Sequence, residues 1–473
     1  MRTKIIATLG PACADREVLH QMINAGLDVC RLNFSHGSHQ EHLKNIRNIE
    51  AINKEHGLNI SILADLQGPK IRTGEMKDGG VMVPDGAEIS FVTHKCIGNA
   101  QKLYISYLRF PKDVKKGELI LVDDGNIHLE VISTNNKDEV RLKALHGGII
   151  KSHKGVNMPD TRVSMPGLTE KDKEDLAFIL KHNIQWVALS FVRSASDIIE
   201  LKHLIAQQKK NNRPRIIAKI EKPEAISDID RIIQETDGVM VARGDLGVEL
   251  PMENVPLLQK MIVKKCLQAG KPVIIATQML ESMIFNVGPT RAEVSDVANS
   301  VMDGADACML SGESAVGAFP IMAVATMHKI IVHVEQYQDI YYKHCVPEGP
   351  ENDRYITDSI IYNACNLAQQ TSAKAIIAMT YSGYSAFRLA AQRPKAEIFI
   401  FTNNRSILSM LNLVWGIQGF YYDKFISTDH TIEDIMLRLK KEGFLKEGDF
   451  VVNIASTPID ERGKTNTLKL SKI

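Results

Sequence analysis

A lysine and a glutamate stand two residues apart in the run Ile216-Ile217-Ala218-Lys219-Ile220-Glu221. The run is otherwise apolar and reads as a buried strand. Side chains two apart on a strand face the same way. Neither charge would sit at the end of a buried run without a partner. The pair therefore suggests an ammonium poised beside a carboxylate, with a metal in reach. A further acid follows in Val241-Ala242-Arg243-Gly244-Asp245, at the end of the next apolar run. Glu221 and Asp245 supply two oxygen ligands. That number suits Mg²⁺, which keeps its other positions for water and substrate.

These groups need a scaffold that brings strand ends together. Short apolar runs recur at 4–8, 28–32, 60–65, 186–192, 216–220, 238–242, 273–276 and 307–310, giving eight candidate strands. Helical spacing fills most gaps: Val18, Leu19, Met22 and Ile23 share a face of a helix ended by Gly26, and Val294, Val297, Ala298 and Val301 share another. Eight βα units predict an α/β fold, a (β/α)₈ TIM barrel. One gap, between Asp65 and Trp186, holds about 120 residues. It reads as β (Ile89–Val92, Leu119–Val122, Val140–Lys143) with turns at Asp85-Gly86, Asp124-Gly125 and Gly147-Gly148. The expectation is a small β-barrel lid domain at 69–166, hinged at Pro69 and Pro166-Gly167, inserted into a barrel at 1–68 and 167–339. Residues 340–473 restart the pattern, with a helix at 355–371 and strands at 375–379, 398–401 and 450–454. They predict a separate α/β domain with a mainly parallel sheet, serving effector binding or oligomerisation.

Active sites of such barrels lie at the C-terminal ends of the strands. Nearly every predicted strand ends there in polar chemistry: Thr8 before Gly10-Pro11, Arg31 to Gly37, Asp65 with Lys70 and Arg72 beyond, Ser190 before Arg193, Lys219 and Glu221, Arg243 and Asp245, Thr277-Gln278, and Ser311 to Glu313. A lone threonine or serine at such a place is better read as a cap. Independent capping is a poor account of the whole register. Arg31, Arg72 and Lys219 are cations suited to phosphoryl oxygens. No serine–histidine–acid or cysteine–histidine set is evident. Cations, a Mg²⁺ pair and no nucleophile are what phosphoryl transfer needs.

Composition narrows the field. The net charge of +1 offers no global field for nucleic acid, so neither nucleic acid nor membrane is an expected partner. Seven scattered cysteines without a CxxC pair read as reduced thiols of a cytoplasmic protein, and neither a signal peptide nor a spanning apolar run is found.

The motifs IIAKIEKPEAI (216–226), RLNFSHG (31–37), GPKIRTG (68–74), KGVNMP (154–159), ARGDLGVELP (242–251), ATQMLESM (276–283) and LSGESA (310–315) resemble those of the pyruvate kinases, in family order and along the whole chain. The resemblance implies phosphoryl transfer from phosphoenolpyruvate to ADP, giving pyruvate and ATP in the last step of glycolysis. Glu221 and Asp245 would then hold Mg²⁺ (or Mn²⁺), and Lys219 would neutralise charge on the phosphoryl group and the enolate. Thr277 would help relay a proton, and Arg31 would hold the phosphoryl group. The Gly244 loop would bind the substrate carboxylate. Thr8, Pro11, Asn33, His36, Arg72 and Lys154 would face the nucleotide. Many relatives bind K⁺ through residues matching Asn33, Ser35, Asp65 and the Leu66 carbonyl, and carry glutamate where this chain has Lys70; a lysine there implies a K⁺-independent enzyme. Thr380, Ser382, Gly383 and Ser385 match an effector phosphate loop. Tyrosines stand where bisphosphate binders carry basic residues, so a sugar or nucleoside monophosphate is expected as allosteric activator, and ordinary helix capping competes. The family is usually homotetrameric. The rivals are a Mg²⁺-dependent TIM-barrel lyase acting on pyruvate or phosphoenolpyruvate, and a non-catalytic effector-binding protein.

Overall fold

The computed structural model describes residues 1–207, 213–424, 427–458 and 465–473. The eight apolar runs form a closed parallel barrel of strands Lys4–Thr8, Val29–Asn33, Ser61–Asp65, Trp186–Leu189, Arg215–Ile220, Gly238–Ala242, Val273–Ala276 and Ala307–Leu310. Each pairs with its chain neighbour, and the first closes on the eighth. The register sets Thr8 beside Arg31 and Asn33 beside Asp65, so neighbouring strands deliver their polar ends to one rim.

The fourth strand is shorter than the run 186–192. It stops at Leu189, and Phe191 takes a positive φ of 55°. That break turns the Phe191 N–H out of the ladder and toward the next strand end. The sixth strand ends at Ala242 and passes directly into a helix, Arg243–Glu249, so Gly244 lies in a helical turn rather than a loop. Helix Arg16–Asn24 buries Leu19, Met22 and Ile23 as its spacing requires. In helix Arg291–Asp303 the buried stripe is narrower than expected. Val297 and Val301 are covered together with Ser300, while Val294 is exposed, because it lies at the edge of the face turned to the barrel.

The insertion forms a six-stranded sheet and a two-stranded sheet around one core of Val83, Phe91, Phe110, Leu129 and Leu142, among others. Its hydrogen-bonded ladder does not run full circle as that of the large barrel does. Strand Ile127–Thr134 pairs with Leu119–Val122 on one side and Glu139–His146 on the other. The C-terminal sheet has five strands. Ile417–Tyr421, Glu397–Thr402, Ala375–Met379 and Phe450–Ala455 run parallel, and Thr467–Lys472 closes one edge antiparallel.

One core cluster joins strand residues of the barrel (Ile6, Leu63, Ile217, Met240, Ile274) to Ile361, Ile376, Leu389 and Trp415 of the C-terminal domain. The two domains thus share buried apolar surface, and Trp186 donates its indole N–H to the Met410 carbonyl at 3.1 Å. No helix among the described residues is long and apolar enough to cross a membrane.

Candidate active site

Lys219 is the centre of the rim. It is 9% exposed, and its ammonium lies 2.7 Å from the Ser190 hydroxyl, 3.0 Å from Glu221 and 3.3 Å from Asp65. Burial disfavours the ammonium, but Asp65 and Glu221 outweigh burial and raise its pKa above the ordinary lysine range. The group is therefore a fixed positive charge. Asp65, 1% exposed, also receives the Arg31 guanidinium through Nε at 2.8 Å and Nη2 at 2.6 Å. Burial alone would raise the Asp65 carboxyl, yet Lys219 and Arg31 hold it below its usual range. Arg31 is completed by the Thr8 hydroxyl at 2.8 Å, and Thr8 in turn donates to the Leu310 carbonyl. Five strands are thereby locked through one carboxylate and the chain of partners around it.

Glu221 is 1% exposed and accepts the Phe191 N–H at 2.6 Å, the bond that the break in the fourth strand makes available. Its pKa is raised, first by burial and further by Asp245, against the pull of Lys219. A carboxylate in this state, with a like charge nearby, favours a cation between the two. No group of three or more histidines, cysteines or acids is arranged for a metal among the described residues. Two carboxylates are what Mg²⁺ takes when substrate and water complete its shell, so the donor set fits a Mg²⁺ ion.

Thr277 and Gln278 carry φ of 70° and 56°. Left-handed backbone at a β-branched residue is strained by roughly 1–3 kcal/mol and persists where neighbours hold it. Here the Thr277 hydroxyl donates to the Ala276 carbonyl at 2.6 Å and accepts the Gly244 N–H at 2.8 Å, while Arg243 donates to the Thr277 carbonyl at 2.7 Å. The Gly244 N–H is therefore engaged by Thr277 in this conformation. A cavity of about 840 Å³ opens beside these groups, lined by Lys70, Asp124, Arg243, Gly244, Asp245 and Gln278 among others.

The nucleotide-side candidates lie on the other flank. Asn33 folds into a turn, its Oδ1 accepting the Ser35 N–H at 3.1 Å and its carbonyl the His36 N–H at 3.2 Å. Burial pushes the His36 pKa down from its ordinary value, and the charges of Arg72, Lys70 and Arg31 act in the same direction. Among the described residues neither the Arg72 guanidinium nor the Lys70 ammonium has an ion-pair partner. Lys154 does have one: it contacts Asp123 at 2.7 Å. Pro11 is exposed at the start of a short 3₁₀ turn. The Leu66 carbonyl accepts the Ser190 hydroxyl at 2.7 Å, so Asp65 and Leu66 are tied to the lysine network while Asn33 and Ser35 sit in the turn beside it. Glu313 is buried and accepts the Leu280 and Ser311 N–H groups, which makes it a brace of two loops.

Sequence reasoning passed over several groups that the fold brings in. Glu249 accepts the Asn157 amide of the lid at 2.6 Å and pairs with Lys222, fastening lid to barrel. Arg193, read from the sequence only as a polar residue past the fourth strand, donates to the Val163 and Met165 carbonyls where the lid chain returns. The signal was present in charged residues inside apolar stretches, but their partners are distant in sequence.

Far from this rim, Thr380, Tyr381, Ser382, Tyr384 and Ser385 line a second cavity of about 150 Å³ with Arg354, Thr357, Ser456 and Thr465. Gly383 takes a left-handed φ of 87°, and its N–H donates to the Thr380 hydroxyl. Arg354 stacks over the Tyr384 ring at 4.8 Å. It is a cation that the motif at 380–385 did not reveal.

Residues 1–324 match the family model for the pyruvate kinase barrel domain, and residues 358–471 the model for the pyruvate kinase alpha/beta domain. A pyruvate kinase of Geobacillus stearothermophilus is 42% identical across 100% of this chain and 80% of its own length. One from Staphylococcus aureus is 41% identical across 99% of this chain and 80% of its own. A pyruvate kinase structure from Cryptosporidium parvum superposes with a TM-score of 0.93 at 35% identity, over 100% of this chain and 96% of that one.

Proposed function

This chain belongs to the pyruvate kinase family, and on that premise we propose how its own residues carry the family's reaction. The reaction moves a phosphoryl group from phosphoenolpyruvate to ADP. The bond between phosphorus and the enol oxygen breaks as a β-phosphate oxygen of ADP bonds to phosphorus. The electron pair left on the enol oxygen gives the enolate of pyruvate, and a proton enters at its methylene carbon. The carbon–carbon lyase alternative is not favoured, since family models and full-length relatives agree on the kinase.

The observation that carries the residue assignment is the buried Lys219 ammonium, fixed at 3.0 Å from Glu221 on the open rim. Placed there, Lys219 neutralises the charge that develops on phosphoryl and enol oxygens, with no reorganisation at the moment of transfer. The family generally uses Mg²⁺; Glu221 and Asp245 would hold it, and when bound it supplies charge neutralisation and orientation of substrate oxygens. Thr277, held in strained backbone, positions a hydroxyl for the proton delivered to the enolate. Arg31, with its fork anchored on Asp65, takes the phosphoryl oxygens, and Arg72, without an ion-pair partner among the described residues, approaches the nucleotide phosphates from the lid side. Asn33, His36 and Lys154, with Thr8 and Pro11, form the ADP side, and the lid at 69–166 closes over it. Replacing Lys219 by methionine is expected to lower pyruvate formation by at least about a hundredfold. Retained turnover overturns the assignment.

Lys70 supports a K⁺-independent reaction, because its ammonium has no ion-pair partner among the described residues and acts electrostatically on His36, in the turn that would bind the ion. A many-fold rise in turnover on adding KCl to a K⁺-free assay overturns that. The cavity at 380–385, lined among the described residues by hydroxyls and Arg354, supports a phosphorylated activator, a sugar or nucleoside monophosphate. Isothermal titration with ribose 5-phosphate and AMP tests it, and absence of binding to both overturns it. The C-terminal domain at 340–473 and the tetramer usual in the family belong to the same proposal, checked by solution mass, as does a cytoplasmic location.

A further inference from the structure

The helix Glu170–Ile179 begins where the lid chain returns to the barrel. Its first two turns touch both segments that face the nucleotide flank. Asp172 is 0% exposed. One of its carboxylate oxygens caps the helix by accepting the Thr169 N–H at 2.8 Å; the other accepts the Gly68 N–H at 2.9 Å. A carboxylate fully removed from water needs such partners, so the Gly68 bond is part of what holds it. Gly68 has φ of 69°, and a Cβ there would meet Ser190 and Phe191 at 3.0 Å, so the hinge is packed against the residues that hold Lys219 and Glu221. One residue earlier on the helix, Lys171 donates to the Phe34 carbonyl at 2.7 Å. It is steadied by Asp175 at 2.6 Å, and Asp175 also holds the His39 ring at 2.7 Å. The Phe34 carbonyl lies between Asn33 and Ser35. It shares a peptide plane with the Ser35 N–H that donates to Asn33 Oδ1 at 3.1 Å, so fixing it orients that bond and the turn.

We propose that Lys171 and Asp172 are positioning residues that hold the Asn33–His36 turn and the Gly68–Lys70 hinge in one register for ADP. The inference rests on assigning that turn to the nucleotide side. Neither residue reaches the Lys219 end of the site directly, so their loss should weaken ADP and spare phosphoenolpyruvate. A structural role alone would move both Michaelis constants together with the melting point.

The test is steady-state kinetics of the full-length enzyme with each substrate varied. Lys171→Met is expected to raise the KM for ADP about tenfold, the worth of one charge-assisted hydrogen bond, with the KM for phosphoenolpyruvate changed less than about twofold and the thermal midpoint retained. Lys171→Arg should restore most of the ADP affinity. Asp172→Asn, which keeps shape and the Oδ1 acceptor but weakens the cap, should fall between the two. His36→Ala is the control for the underlying assignment. If His36→Ala raises the KM for ADP and Lys171→Met does not, or if Lys171→Met shifts both constants equally, the positioning role is wrong. If His36→Ala leaves ADP untouched, the nucleotide-side assignment itself fails.

Discussion

At the scale of single residues, Asp65 explains how three cationic and hydroxyl groups from separate strands can share one buried place. It joins Arg31 and Lys219, and its carboxyl is held below its usual range by them in spite of burial. A carboxyl with a depressed folded pKa binds fewer protons in the native state than in the unfolded chain. Its contribution is therefore complete above the unfolded value of 3.8 and is lost as pH falls through the lower folded value. Asp65→Asn keeps the volume and leaves two buried cations short of a counter-charge. Breaking a buried pair on one side costs about 3–5 kcal/mol. The urea midpoint of Asp65→Asn should lie well below that of the parent at neutral pH, and the gap should narrow on acidification below 3.8. A gap that stays constant through the acid limb contradicts this account. The charged members of the candidate site were legible in the sequence because charges inside or at the ends of apolar runs are rare: Lys219, Glu221 and Asp245 declare themselves. Asp65 as a hub was not legible in that way, since its partners at 31 and 219 lie on other strands and only the barrel's closure brings them together.

At the scale of elements, the strand runs were readable because parallel barrel strands are apolar throughout and bounded by polar ends. Their ends were less so. Phe191 leaves the strand through a left-handed residue, and Gly244 lies in a helix that follows its strand without a loop. Both departures serve the site, as Phe191 holds Glu221 and the helix carries Asp245. Strand Thr467–Lys472, an exposed edge that carries Lys469 and Lys472, has no continuous apolar run to mark it. The same helix that carries Asp245 ends in Glu249, where the lid strand Val156–Asn157 is fastened by the Asn157 amide and where Lys222, next to Glu221, pairs. Glu249 thereby ties the lid, the segment that follows the fifth strand and the Asp245 helix in one bond set. Glu249→Ala removes the carboxylate that the half-buried Asn157 and Lys222 bond, at about 1.5–3 kcal/mol for each hydrogen bond to the charged group. Hydrogen exchange at Val122 and Val156, which pair within the lid, is expected to quicken. The value of kcat/KM should fall about tenfold or more. Unchanged exchange alongside lost activity would mean that Glu249 acts on the site and not through the lid.

At the scale of the whole molecule, the barrel and the C-terminal domain are one packed body, and the two cavities lie at opposite ends of the same strand. Arg215 begins the fifth barrel strand; Lys219 stands near its other end. The Arg215 guanidinium donates to the Ser382 carbonyl at 3.2 Å, stacks on the Phe387 ring at 4.8 Å and pairs with Asp237 at 3.1 Å. Ser382 lines the C-terminal cavity, and Tyr384, also lining it, donates to Asp358, which pairs with Arg388 at 3.1 Å. Arg388 in turn reaches the Gln268 carbonyl at 3.1 Å, near the end of the helix Val255–Ala269. The start of that helix lines the large cavity beside Asp245. A ligand that reorders the Thr380–Ser385 loop would thus bear on the strand that leads into Glu221 and on the helix that lines the cavity beside Asp245. Coupling between sites is a free energy, reciprocal between the two ligands and typically about 1–3 kcal/mol. Arg215→Met keeps the stem that covers Phe387 and removes the link to Ser382. Ribose 5-phosphate or AMP should still bind this variant, and turnover without activator should be retained. The activator-induced drop in the KM for phosphoenolpyruvate should shrink by most of its size, and, by reciprocity, phosphoenolpyruvate should cease to tighten activator binding. If both linked shifts survive in Arg215→Met, the coupling runs through Arg388 and Gln268, and Arg388→Met should remove it instead.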